Sequence, residues 1–184
     1  TSKIRHLICR HQNSRLALLR MFLSISRELG EETEKRVRKS RAKKNWTLRN
    51  LLLRLHARSC QVTAEIITLV ENGYADGAMA RWRTLHEICV VATVISDSGE
   101  DLAERYVDHE IIESKRALDE YMICHKLLGY KPISKRETAH VNQAYDAAIE
   151  KYGKDFGAPY GWASAHLKKK RPAFRDLEWR ADQS

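Results

Sequence analysis

The residues best suited to chemistry in this 184-residue chain are polar side chains set within an apolar helical run. Over residues 78–95, Trp82, Leu85, Cys89, Ala92 and Ile95 fall on one helical arc, and Arg81 points into the middle of it. A guanidinium in that place needs a carboxylate, because a buried unpaired charge costs several kcal/mol. Arg83 and Glu87, four residues apart, can pair along the helix on a side shared with Val90 and Val94 and expected to be covered. His86 stands at the boundary of the arc. Downstream, Leu102, Tyr106, Ala117, Tyr121 and Cys124 form a second stripe, with Glu110, Glu113 and Glu120 on or beside it as partners for Arg81. His109 lies at its edge, one turn from Glu113. The expectation is a polar network joining Arg81, Arg83, His86 and Glu87 to His109 and Glu113. Such a network either fixes helix register or lines a pocket in which a histidine can carry a proton.

Other site classes find little support. Glu137 and His140 have the spacing of a bundle metal-ligand pair, but no second Glu-x-x-His follows, so no metal site and no cofactor are expected. Cys9, Cys60, Cys89 and Cys124 are widely spaced, without a Cys-x-x-Cys or a zinc pattern, and read as reduced thiols. Cys60, Cys89 and Cys124 fall among apolar neighbours, where Cys acts as a small hydrophobe. There is no Gly-rich phosphate loop, no Ser or Cys nucleophile motif and no His-Glu-x-x-His.

The elements that must position these residues are helices. Eight Gly and three Pro, with 43% hydrophobic and 31% charged residues, favour an all-α chain with a sizeable core. No apolar stretch is long enough to span a bilayer. Ile4, Leu7, Ile8, Leu18, Leu19, Phe22, Ile25 and Leu29 mark a first helix ending near Gly30. Residues 31–46 read as an exposed helix extension or a mobile charged connection. A second helix runs from Leu48 to the Asn72-Gly73 turn, a third over 78–95 capped by Asp76, and a fourth over 100–128. Ser134 with Glu137 resembles a capping box opening a fifth, to about Tyr152. Residues 153–184 read as loop followed by an amphipathic pattern from Phe174. The expected architecture is a single helical domain over 1–184, an up-and-down bundle of four to five long helices with its core in 47–152. The opening Thr1 and the interrupted final pattern suggest trimmed ends, and the missing secretory segment fits a cytoplasmic chain.

The net charge of +9 is unevenly spread. Lys35, Arg36, Arg38, Lys39, Arg41, Lys43, Lys44, Arg49, Arg54 and Arg58 lie in a stretch without a single acid, whereas residues 97–120 are mostly acidic. That dipole suits either a solvated or self-complementary surface, or contact with RNA or another polyanion.

The segment Glu71-Asn72-Gly73-Tyr74-Ala75-Asp76-Gly77-Ala78-Met79-Ala80-Arg81-Trp82-Arg83-Thr84-Leu85-His86-Glu87 resembles the signature of an uncharacterised bacterial helical family, domain-of-unknown-function family 5677. Glu104-Arg105-Tyr106, His109 and Tyr160-Gly161-Trp162-Ala163 extend the likeness over residues 48–180. Members of that family usually carry a further helix with a terminal His-bearing motif, which this sequence lacks. A second resemblance is to HEPN-domain ribonucleases. Arg81 and His86 are separated by four residues, and Arg49 and His56 by six, the spacing of that family's Arg-to-His motif. Arg49 is followed by Asn50, as the motif prefers; Arg81 is followed by Trp82. The resemblance implies a HEPN-like bundle, commonly a homodimer, with His86 as general base on a ribose 2′-hydroxyl and Arg81 stabilising the phosphorane without metal. Arg83, Glu87, His109 and Glu113 would support them, and Arg49 and His56 are the alternative pair. The implied function is RNA binding or cleavage as a toxin or phage-defence component. The competing expectation is a non-catalytic module for self-association or a protein partner, with a structural polar network.

Overall fold

The computed structural model describes residues 2–40 and 44–183, with side chains from Arg15 onward. The described residues are helical and contain no strand. The single domain expected from length is divided into two compact units, 1–96 and 97–184.

In the first unit, α1 (Ser2–Lys39) and α2 (Trp46–Glu71) pack along their lengths, and α3 (Ala75–Ser98) follows the turn at Asn72. Gly73 at φ 79° supplies the left-handed residue that ends α2. Leu23 of α1 is buried against Cys60 and Ile67 of α2, and Arg20 is bonded to both carboxylate oxygens of Glu71. The helix α1 does not stop near Gly30. It continues through Glu31 to Lys39, because a helical Gly costs only about 1 kcal/mol and the exposed Glu32–Arg36 and Glu34–Arg38 pairs support the extension. Asp76 lies in the first turn of α3 rather than capping it from outside.

Burial in α3 also departs from the helical wheel. Val90, Val94 and Ile95 are buried, while Trp82 and Cys89 are exposed, as are Arg83 and Glu87, expected on a covered side. The second half of this helix is apolar on nearly every side, so its pattern does not single out one face.

In the second unit, the fourth helix expected over 100–128 is two, α4 (Glu100–Asp108) and α5 (Glu110–Cys124), separated by a turn at His109. After α5, α6 (Lys135–Tyr152) opens on a capping box: Ser134 Oγ accepts from the Glu137 N–H at 3.2 Å, and Glu137 accepts from the Ser134 N–H at 3.2 Å. Two 3₁₀ turns, Lys154–Gly157 and Gly161–Ala163, lead into α7 (Ser164–Leu167) and α8 (Phe174–Ala181). Phe156, Trp162, Leu102, Ile112 and Leu177 form the buried interior of this unit.

Candidate functional site

The α1–α2 face of the first unit carries a groove of about 880 Å3 with an apolar floor of Leu53, Ala57, Ala64 and Leu69. Its rim is charged with both signs, from Arg27, Glu34, Arg38 and Arg54 to Glu65 and Arg81. A neighbouring cavity of about 330 Å3 is lined by Gly30, Arg49, Leu52 and His56. Seven residues make almost two helical turns, so Arg49 and His56 share a face of α2, and the structure brings this pair into one cavity.

His56 is held in place by α1. Its Nε2–H donates to the carbonyl of Ser26 at 2.8 Å, which fixes the tautomer, and Cys60 Sγ lies 3.7 Å from the same nitrogen. The ring reaches α1 because residue 30 is Gly: a Cβ there would sit 2.8 Å from Cδ2 and Nε2. Asn50 is turned to its own helix, donating to the Trp46 carbonyl at 2.8 Å.

Arg81 and His86 do not line the same groove. Arg81 lines the groove, with Nε 2.5 Å from Glu65 Oε2 in a contact whose angle is not that of a hydrogen bond. Glu65 also lies 3.9 Å from Arg58. The partner of Arg81 is thus a residue of α2 and not a glutamate of 110–120, the expected source. Glu65, one turn from Gln61 on the α2 face that looks into the groove, went unnoticed in the sequence because it lies in a segment read only for its apolar stripe. His86 stacks on Trp82, with ring centroids 5.6 Å apart and planes 8° apart, and does not line the groove.

His109 and Glu113 belong to the second unit. His109 is buried, donates from Nε2 to the Ala158 carbonyl at 3.0 Å and meets Phe156 edge-on. Burial pushes its pKa down, against the upward pull of the Ala158 and Phe156 carbonyls and of Glu113. Glu113 is exposed and pairs with Arg116 at 2.8 Å, and Arg116 donates to the Gly157 carbonyl at 2.8 Å. These side chains hold the 156–158 turn. Beside them is a buried group the sequence reading did not single out. Arg105 donates to the Trp162 carbonyl at 2.9 Å and lies over the Tyr152 ring at 4.7 Å, while Asp108 accepts from Tyr152 at 2.6 Å and from Lys151 at 2.9 Å. Gly161 belongs to the same arrangement, since a Cβ there would overlap the Phe156 carbonyl. The only signal for this cluster was that Arg105 and residues 160–163 recur in the family-like segments.

Of the basic run, Lys35, Arg36, Arg38 and Lys39 are exposed on the end of α1, Lys44 precedes α2, and Arg49, Arg54 and Arg58 lie on α2. Arg41 and Lys43 lie outside the described residues. Arg36 and Arg38 face Glu32 and Glu34 at 3.3 and 2.6 Å. Among the described residues no cluster of three His, Cys, Asp or Glu could hold a metal ion, and Glu137 serves the α6 cap while His140 is exposed. No described helix is long and apolar enough to cross a membrane.

Fold and site together define a class: an all-helical protein of two compact units whose inner polar groups bond mainly to backbone carbonyls and to carboxylates of the same unit. Residues 49–184 match the model of a family of unknown function, DUF5677, and the chain belongs to that family. The matched span begins in α2, so α1 lies outside it. No curated protein and no solved structure matches the chain.

Proposed function

We propose that this chain is a helical assembly module, a non-catalytic unit for protein–protein interaction or oligomerisation in which the internal polar groups are structural. The observation that carries this reading is the outer face of α1, where Leu18, Met21, Phe22, Ile25 and Leu29 are all about half exposed. A contiguous apolar face on one helix is costly to leave in water and marks an interaction surface. The bonding of His56 and His109 to main-chain carbonyls agrees with it, since both rings are engaged in packing their own unit.

A second reading is favoured by one observation, the shared cavity of Arg49 and His56. In it the chain is a HEPN-like up-and-down bundle acting in the cytoplasm as an RNA-binding or RNA-cleaving toxin or phage-defence component. The free nitrogen of His56 would take the ribose 2′-hydroxyl proton, Arg49 would stabilise the phosphorane, and no metal would be needed. Arg81 and His86 remain the other pair for the same chemistry. One experiment divides the two readings: total RNA is incubated with the chain in EDTA, beside His56→Ala and His86→Ala. Unchanged RNA in all three samples is the result expected of the assembly module. Cleavage that either variant abolishes, with helicity retained by circular dichroism, would overturn it in favour of the ribonuclease.

A further inference from the structure

The outer face of α1 carries more than exposed hydrophobic area. Leu18, Phe22, Ile25 and Leu29 follow one another at intervals of four, three and four, the spacing of a seam between two helices. They are 51, 58, 45 and 58% exposed. The adjoining side of the same helix, with Leu23, Ser26 and Gly30, is the side packed on α2, so α1 has one face occupied and the next one open.

We infer that this open face docks a second copy of the same chain, with the two α1 helices antiparallel about a two-fold axis between Phe22 and Ile25. The inference rests on the assembly reading and names its partner. Charge decides both occupant and direction. Continuing the seam by the same intervals reaches Arg15 at one end and Glu32 at the other, both exposed. Antiparallel pairing sets Phe22 against Ile25, Leu29 against Leu18 and Arg15 against Glu32 of the second copy, each contact occurring twice. Parallel pairing would oppose arginine to arginine and glutamate to glutamate, which is repulsive at both ends. A face that is apolar at the centre and oppositely charged at its two ends is complementary to itself, which is the requirement of a two-fold interface. Glu32 already reaches Arg36 at 3.3 Å, but both side chains are largely exposed, and such a pair is weak enough to be exchanged. Five half-exposed side chains with their neighbours offer roughly 500 Å2 per copy, about 1,000 Å2 in the pair, at the lower limit of a specific interface. The dimer should accordingly be reversible and concentration-dependent.

Sedimentation equilibrium tests this on the chain as it stands, beside the double variant Phe22→Glu with Ile25→Glu, the single variant Glu32→Arg and the charge swap Arg15→Glu with Glu32→Arg. Expected are a reversible dimer for the parent and a monomer of unchanged helicity for the double glutamate variant. Glu32→Arg should bind its copy at least about tenfold more weakly, and the swap should recover most of that loss. A parent that stays monomeric at high micromolar concentration overturns the proposal. So does a dimer indifferent to the glutamate substitutions, although that result leaves the assembly reading standing on another surface. Loss of affinity in Glu32→Arg without recovery in the swap overturns the antiparallel register. The assembly reading itself fails separately, through RNA cleavage that His56→Ala or His86→Ala removes.

Discussion

Gly30 and His56 show how one absent methyl group sets a helix contact. The His56 ring occupies the space a Cβ at residue 30 would need, and it is tied there by its bond to the Ser26 carbonyl. Ordinarily Gly→Ala within a helix gains about 1 kcal/mol. Here Gly30→Ala should instead destabilise the chain by about 1–3 kcal/mol, the cost of overpacking, because the ring can retreat only by breaking its hydrogen bond. In a background of His56→Ala the same substitution should become neutral or stabilising. Urea denaturation of the four proteins in this cycle measures the sign change, and a destabilisation equal in both backgrounds would dismiss the contact. His109 permits a prediction in pH. Its pKa lies below the ordinary 6.5 because burial disfavours the charged ring. The unfolded chain therefore takes up a proton near pH 6.5 while the folded chain resists it. Stability from this group is complete above that pH and declines as pH falls toward the lower folded value. His166 is shifted the same way by burial and contributes in the same direction. His109→Gln, whose amide can still donate to Ala158, should flatten the loss of stability between neutral pH and about pH 5, as followed by denaturant midpoints. An unchanged slope would assign the loss to other groups.

Among the elements, α6 was legible because its start signal is local. Ser134 and Glu137 bond to each other's backbone within one turn, and hydrogen bonds to Ser134 hold the Glu137 carboxyl below its usual range. Ser134→Ala should cost about 1 kcal/mol and Ser134→Gly only a few tenths, read as a shift in denaturation midpoint. Equal effects of the two would mean that the cap bond contributes nothing. The C-terminal end of α2 was legible for the same reason, since Asn72 and Gly73 carry the signal within the turn. The break between α4 and α5 was not. His109 keeps right-handed helical angles, and no Gly or Pro marks the position; what turns the chain there is the distant bond to Ala158 and the packing on Phe156. Gly30 misled in the opposite direction, as a stop signal outweighed by the Glu32–Arg36 and Glu34–Arg38 pairs beyond it and by the packing of His56 against it. At His109 the competing term was tertiary, and a reading confined to neighbours in sequence has no access to it. The same reasoning explains the site. The spacing of Arg49 and His56 placed them on one face of α2, whereas the pairing of Arg81 with Glu65 depends on how two helices meet.

For the molecule as a whole, the net charge of +9 suggests more affinity for RNA than its arrangement supports. Arg36 and Arg38 already face glutamates on α1, Arg58 and Arg81 share Glu65, and the groove rim alternates in sign. A phosphate approaching this surface meets carboxylates beside most of the guanidinium groups and must displace them or contact only the remaining bases, Lys35, Lys39, Lys44, Arg49 and Arg54 among the described residues. For single-stranded RNA the logarithm of the binding constant falls with the logarithm of salt concentration at about 0.7 per phosphate neutralised. Five such contacts give a slope of about −3.5, and engagement of all ten basic residues would give about −7. Fluorescence anisotropy of a labelled single strand across a salt series should find the shallow slope, with weak binding at physiological ionic strength. Lys35→Ala with Lys39→Ala should make it shallower by about 1.4, and Arg36→Ala should change it little. A slope steeper than about −5 would mean that RNA displaces the glutamates and engages the whole basic run, and the ribonuclease reading would then gain the binding surface it requires.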